Sequence, residues 1–159
     1  MGAANERSSP MSKNQPAVAD ALNALLADSY ALYLKTKNYH WHVEGPRFRQ
    51  LHLLFDEHAS QILATTDLIA ERVRKNGAAT LRSIGDIARR QSIKDDDAAK
   101  VDADAMVRNL ADDNEALLAQ IKETKAAAEA AGDIATSGLV DGWADETEQR
   151  IWFLKATLA

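Results

Sequence analysis

The 159-residue chain is predicted to be all-α, a four-helix bundle with a short helix in the long crossover between helices 2 and 3. Apolar residues recur at intervals of three and four over four long stretches, which is the period of a helix with one buried face. Turn-forming sequences separate these stretches at Glu44-Gly45-Pro46, Asn76-Gly77 and Gly132. Between Ala78 and Asp97 the periodicity is too short for a bundle helix. Four long helices joined by one long crossover form a recognised bundle topology.

The first two long helices are predicted from their apolar faces. The first runs from about Ala17 to His42, and the side chains on its buried side are Val18, Leu22, Leu25, Leu26, Leu32 and Tyr33. The second runs from Arg49 to Asn76 without proline or glycine, and its apolar positions are Leu51, Phe55, Ile62, Ile69 and Val73. Gly77 is expected to end it in a left-handed conformation.

The second half of the chain supplies the remaining helices. A short helix from Ile84 to Gln91 is expected to lie across the connection. The third long helix is predicted from about Asp97 to Gly132, with inward positions at Ala103, Val107, Leu110, Asn114, Leu117, Ile121, Thr124 and Ala128. Asp133 is expected to cap the last helix. The apolar face of that helix is predicted to contain Leu139, Val140, Trp143, Ile151, Leu154 and Leu158.

Length and composition indicate one domain, residues 17–159, preceded by a flexible tail at residues 1–16 that has almost no large apolar side chains. The chain is 46% apolar, but no apolar run approaches the roughly 18 residues of a membrane span. The N-terminus also lacks an apolar signal segment. Together with the absence of cysteine, these features predict a cytoplasmic protein with no membrane partner.

The charge of the chain favours cations over nucleic acid as partners. Nineteen basic and 24 acidic residues give a formal net charge of −5. A negative surface repels the phosphates of DNA. An acidic chain suits cations.

Five potential metal ligands have a regular spacing, and we call them the ligand set: His40, His52, Asp56, Asp67 and Glu71. On the second helix, His52 and Asp56 are one turn apart, and so are Asp67 and Glu71. At about 100° per residue, these four side chains fall at about 0°, 40°, 60° and 100° around the axis. They therefore form a single stripe along the helix.

This stripe is too long for one metal site. With a rise of about 1.5 Å per residue, Asp56 and Asp67 are about 16 Å apart, whereas metal–ligand bonds are only about 2 Å long. One chain therefore offers two half-sites. An antiparallel copy of the helix, related by a two-fold axis, would bring Asp67 and Glu71 beside His52 and Asp56 of the first chain. That arrangement gives two identical sites per dimer.

The chemistry of the ligand set favours iron. Two imidazoles and three carboxylates, in a chain without cysteine, suit a first-row ion such as Fe(II) better than a structural zinc that prefers thiolates. Taken singly, each residue has an alternative interpretation as a solvated or capping side chain on a helix surface. The joint spacing of all five favours a metal site.

The motifs around the ligand set resemble those of the Dps family of mini-ferritins, DNA-binding proteins from starved cells. They are His40-Trp41, Gly45-Pro46-Arg47-Phe48, Leu51-His52, Phe55-Asp56, Asp67, Ile69-Ala70-Glu71-Arg72 and, in the last helix, Ile151-Trp152-Phe153-Leu154. The resemblance extends from about Val18 to the end of the chain and implies a ferritin-like four-helix bundle. It also implies that the ligand set forms a ferroxidase centre at the subunit interface.

The resemblance implies iron storage and detoxification as the activity. Fe(II) would be oxidised, preferably by hydrogen peroxide and otherwise by oxygen, and stored as ferric mineral inside a hollow homododecamer. His40, His52 and Asp56 would bind from one chain, while Asp67 and Glu71 would complete the centre from its neighbour.

The alternative function is a nucleoid protein that compacts DNA and in which iron chemistry is secondary. The N-terminal tail discriminates between the two functions, because DNA-binding members of the family carry several lysines or arginines there. In this chain Arg7 and Lys13 are opposed by Glu6. We therefore expect weak DNA binding or none.

Three residues near the ligand set have other interpretations. His42 lies about 200° from His40 around its helix, and His58 lies about 240° from His52, so neither can join the stripe. Both are expected at surface or interface positions. Trp41 either packs over the metal site, as its counterpart does in the family, or is an ordinary core or interface residue.

One position departs from the family pattern. Family members commonly have an aspartate 14 residues before the tryptophan matched by Trp152, where it lines a three-fold pore, but this chain has Gly138 there. The candidates to replace that aspartate are Asp133, Asp141 and Asp145.

Overall fold

The computed structural model describes residues 15–159, which form five helices and, within that range, no strand. They are α1 (Gln15–His42), α2 (Phe48–Lys75), α3 (Ile84–Arg90), α4 (Ala103–Ala131) and α5 (Ile134–Leu158). The predicted all-α fold with a short crossover helix is confirmed. The predicted flexible tail falls almost entirely on residues 1–14, which lie outside the described residues, and α1 already includes Gln15 and Pro16.

The four long helices pack as two antiparallel pairs. α1 lies along α2, α4 lies along α5, and the pairs meet mainly where α1 contacts α4. The short helix α3 packs across α1. The core between the pairs is aliphatic and aromatic, and its largest fully buried side chains include Leu22, Leu25, Leu32, Tyr39, Phe55, Ile62, Ile69 and Leu110. Two residues predicted for the apolar face of α5 are exposed instead, Leu139 (37%) and Leu158 (36%).

The helix ends follow the predicted turn chemistry. Gly77 after α2 and Gly132 after α4 adopt positive φ angles, 83° and 68°, which glycine tolerates without a steric penalty. Asp133 caps α5, since its carboxylate accepts hydrogen bonds from the backbone N–H and the hydroxyl of Thr136.

The start of α4 was predicted six residues too early, because the segment before it is tied to α1. The Tyr39 hydroxyl donates a 2.6 Å hydrogen bond to the Asp96 carboxylate, and the Asn38 amide donates to the Asp96 carbonyl. Asp96 also accepts from the backbone N–H of Ala98. These contacts hold the segment extended against α1, so α4 begins only at Ala103.

A buried carboxylate anchors the crossover to α1. Asp28 is fully buried and accepts hydrogen bonds from the backbone N–H groups of Ser92 and Ile93, at 2.7 and 2.9 Å. It also accepts from the Ser92 hydroxyl and from the side-chain amide of Gln120 on α4. The Asp28 side chain therefore connects three parts of the subunit: α1, the segment that follows α3, and α4.

His58 lies inside the bundle, so the expectation of a surface or interface position was wrong for this residue. It is only 2% exposed, because its side of α2 also carries the buried residues Leu51 and Ile62 and faces α5. Its ring lies 6.3 Å from the ring of Phe153. Burial, together with the positive charge of Arg150, lowers the pKa of His58 from the usual 6.5 to about 4.

Mild acid should therefore destabilise the subunit through His58. As the pH falls from about 6.5 to about 4, the unfolded chain binds a proton at His58 that the folded chain does not, so stability falls by up to about 3 kcal/mol. Unfolding in denaturant at pH 7 and pH 4.5 measures the loss. It should be smaller in His58→Leu and unchanged in His42→Leu, which alters an exposed histidine. An equal loss in all three proteins would assign the acid sensitivity to other groups.

No helix within residues 15–159 combines the length and the apolar character needed to cross a bilayer.

Candidate metal centre

The end of α1 and the start of α2 bring two histidines of the ligand set together. A five-residue turn, 43–47, reverses the chain between the helices, so His40 comes to lie beside His52. Their rings are stacked with centroids 3.9 Å apart and planes 13° apart. The ring of Phe48, one turn before His52 on α2, stacks against the His52 ring, with centroids 5.0 Å apart.

Each histidine is oriented by a carbonyl group of the other. His40 Nδ1 donates to the His52 carbonyl at 2.6 Å, and His52 Nδ1 donates to the His40 carbonyl at 2.7 Å. Because a carbonyl oxygen can only accept, both rings carry their proton on Nδ1. In the neutral form of each ring, Nε2 is the nitrogen with the free lone pair, and a metal ligand held by a hydrogen bond at its other nitrogen is a common arrangement.

Asp56 lies beside these rings, and Lys37 of α1 contacts it. Asp56 Oδ1 is 3.8 Å from His40 Nε2 and 2.8 Å from Lys37 Nζ. The hydrogen bond from Lys37 holds the pKa of the Asp56 carboxyl below its usual value, and this outweighs the partial burial of the group. The carboxylate is therefore ionised at neutral pH and carries an intramolecular counter-ion.

The other two members of the ligand set lie further along α2 on the same stripe. Asp67 and Glu71 are exposed, and neither forms an ion pair or hydrogen bond with another residue in the range 15–159. Within that range, no three histidine, aspartate or glutamate side chains of one subunit are grouped as a metal site. The structure thus brings His40, His52 and Asp56 together and leaves the two remaining carboxylates on open surface.

Sequence reasoning missed two residues of this site, although helical spacing could have found both. Phe48 precedes His52 by four residues and Lys37 precedes His40 by three, so each pair shares one helix face. For Trp41 the sequence allows two interpretations, a residue that packs over the metal site and an ordinary core or interface residue. Its ring is 57% exposed, which excludes a place in the subunit core, and Lys37 Nζ lies 5.8 Å from its centroid.

The remaining sequence candidates are distributed over the surface. His42 is exposed, as expected, and its Nδ1 contacts the carbonyl group of Asn38. Of the three candidates to replace the pore aspartate, Asp133 is engaged as the α5 cap and Asp141 pairs with Lys125 at 2.8 Å. Asp145 is exposed on α5.

The centre of the bundle is a poor place for a cation. Arg150 is 3% exposed there and donates hydrogen bonds to Asn114 at 2.8 Å and Thr147 at 3.0 Å. Its burial lowers its pKa to about 10, so it remains charged at neutral pH. The neighbouring His58 therefore faces a fixed positive charge, which disfavours binding of a metal ion at its ring.

Comparison with known proteins gives the same fold and covers the same helices. The sequence pattern of the ferritin-like domain matches residues 19–159. The DNA protection during starvation protein of Brevibacillus brevis is 32% identical over 144 residues, covering 91% of this chain and 96% of that protein.

Two solved structures are closely similar. Dps from Thermosynechococcus elongatus superimposes with a TM-score of 0.89 at 28% identity, over 92% of both chains. Dps from Vibrio cholerae O1, described as a member of a broad superfamily of ferritin-like diiron-carboxylate proteins, gives 0.87 at 30% identity, over 92% of this chain and 91% of that one. Fold and sequence define a ferritin-like protein. Within that class, the chain belongs to the Dps family.

Proposed function

We propose that this protein is an iron-storage and detoxification ferroxidase of the Dps type, with its iron sites shared between two subunits. The observation that carries the proposal is the pair of stacked histidines with free Nε2 atoms beside Asp56. These groups supply three ligands from one chain. Asp67 and Glu71, exposed on the same stripe of α2, would supply the others from a second chain.

The positions along α2 suit a two-fold pairing. When an antiparallel copy of α2 places His52 opposite Glu71, Asp56 falls opposite Asp67, because both pairs are centred between Gln61 and Ile62. One register thus completes both sites at once. The same register would form no useful site if either pair, His52 with Asp56 or Asp67 with Glu71, were shifted by a single residue, since its side chains would turn by about 100° around the helix.

The outward side of α2 also has the apolar character of an interface. Three of its leucines are large, uncovered in the subunit and spread along the helix: Leu53 is 54% exposed, Leu63 41% and Leu68 46%. Leu63 is only one or two residues from the centre of the proposed register. Covering these side chains would supply hydrophobic stabilisation to the dimer that holds the iron sites.

The ligand set suits the proposed reaction. Hydrogen peroxide accepts two electrons, one from each of two Fe(II) ions, and with two protons it is converted to two water molecules. The carboxylates stabilise the Fe(III) product, and the acidic chain, with a charge of −5, attracts the incoming cation. Oxygen is the alternative oxidant. The ferric product would collect as mineral inside a closed shell of twelve subunits.

Assembly should depend on Leu63. We expect the wild-type protein to form a dodecamer in light scattering, and Leu63→Glu to form mostly smaller species, because a charge would be buried at the centre of the proposed dimer. Leu158→Glu is the matched control, since Leu158 is similarly exposed but lies at the end of α5. A wild-type monomer or isolated dimer at physiological salt would remove the storage function, because neither encloses a cavity.

Compaction of DNA, the alternative function, has no comparable support. It depends on the N-terminal tail, whose first 14 residues lie outside the described structure and in which Glu6 opposes Arg7 and Lys13. This charge pattern favours at most a weak binding of DNA by the intact shell, and that binding would depend strongly on salt.

A further inference from the structure

Within residues 15–159, Lys37 is the one lysine or arginine side chain that forms an ion pair with a proposed ligand. Its ammonium group donates a 2.8 Å hydrogen bond to Asp56 Oδ1, the same oxygen that lies 3.8 Å from His40 Nε2. The lysine side chain is only 21% exposed, whereas that of Asp56 is 47% exposed. Lys37 therefore approaches the carboxylate from the protein side and leaves the outer side open to solvent.

A metal ion and this ammonium group compete for the same carboxylate. A divalent ion bound by Asp56 and His40 would lie within a few ångströms of Lys37 Nζ, where two positive charges repel each other. The hydrogen bond between Lys37 and Asp56 also favours the metal-free site, because it neutralises the carboxylate that the metal needs. Both effects weaken metal binding.

The ammonium group of Lys37 has an alternative contact, the indole ring of Trp41. Trp41 is one helical turn after Lys37 on α1, and its exposed ring already lies 5.8 Å from Lys37 Nζ. A cation at that distance from an indole ring gains a favourable electrostatic interaction while its charge stays close to water. Rotation of the flexible lysine side chain is sufficient to exchange one partner for the other.

We propose that Lys37 is a displaceable counter-ion of the metal site, which holds Asp56 in the metal-free protein and moves toward Trp41 when a divalent cation binds. Lys37 thereby sets the metal concentration at which the site fills. This proposal rests on the proposed function, since it requires that Asp56 and His40 are metal ligands.

Binding of Co(II) to the assembled protein tests the proposal without using turnover. Co(II) is a first-row divalent ion adjacent to Fe(II) in the usual order of affinities. Titration calorimetry should show that Lys37→Met, which keeps the chain length but removes the charge, binds Co(II) at least about tenfold more tightly than the wild type. Lys37→Arg keeps the charge and should remain close to the wild type.

Two controls separate the possible causes. Lys155→Met removes a lysine that pairs with Glu115 and forms no ion pair with a proposed ligand, and it should leave the affinity for Co(II) unchanged. His52→Ala removes a proposed ligand and should lose the binding. If His52→Ala loses binding but Lys37→Met binds Co(II) no more tightly than the wild type, the counter-ion role is wrong and the metal site stands. If His52→Ala binds Co(II) as well as the wild type, the proposed site itself fails.

Discussion

His52→Ala and Glu71→Ala should each nearly abolish peroxide-driven iron oxidation while leaving the shell assembled. Each change removes a proposed ligand from every proposed interface site, even though the two residues lie about 28 Å apart along α2 of one subunit. Stopped-flow measurement of Fe(III) formation gives the rates, and light scattering checks assembly. His42→Ala is the matched control, because it removes an exposed histidine that lies near the site but off the stripe.

Mixed shells of the two mutants should recover activity that neither mutant has alone. A dimer with one subunit of each kind has one site with both lesions and one site made only of native residues. If subunits are unfolded together and reassembled at random, about half of the dimers are mixed and about a quarter of all sites are native. Activity no higher than that of the separate mutants, in shells verified to contain mixed dimers, would falsify the shared site.

Asp28→Ala should cost about 4 kcal/mol of unfolding free energy, the largest stability effect that we expect from a single polar residue here. The substitution leaves the backbone N–H groups of Ser92 and Ile93 without their acceptor, and it also removes the partner of the Gln120 amide. Chemical denaturation of the assembled protein measures the change, compared at equal protein concentration.

Asp20→Ala provides the comparison for that experiment. Asp20 lies two turns earlier on α1 and is exposed, so its removal should change the stability by less than about 0.5 kcal/mol. Similar small losses in both variants would mean that water replaces the Asp28 carboxylate, and that the crossover is held mainly by apolar contacts such as that of buried Ile93.

The long helices could be predicted because their information is local. Apolar residues three and four positions apart determine which side of α2 is buried, and Gly77 and Gly132 mark where helices end. The start of α4 could not be predicted in this way. It depends on Asp96 bonding to Tyr39, a residue 57 positions earlier in the chain, and no local pattern carries that pairing.

In the candidate site, too, the features set by local spacing could be predicted and those set by distant contacts could not. The helical angle correctly separated His58 from the stripe, but it did not reveal that the opposite side of α2 faces Arg150, which lies 92 positions later. The ligand spacing predicted two half-sites, and the subunit structure has His40, His52 and Asp56 at one end of the stripe. The pairing of subunits stays a prediction, since it depends on a second chain.

The reversal between α1 and α2 shapes the proposed metal site although it contains none of the proposed ligands. The His40 carbonyl is one of the last four of α1, a group that a helix leaves without an amide partner, and His52 Nδ1 occupies it. If the chain continued as helix through Gly45, whose φ is 110°, and Pro46, a later amide would take that carbonyl. The imidazole of His52 would then lose the bond that fixes its tautomer. The sequence that stops α1 at His42 is therefore also the sequence that orients the His52 nitrogen lone pair in the proposed iron site.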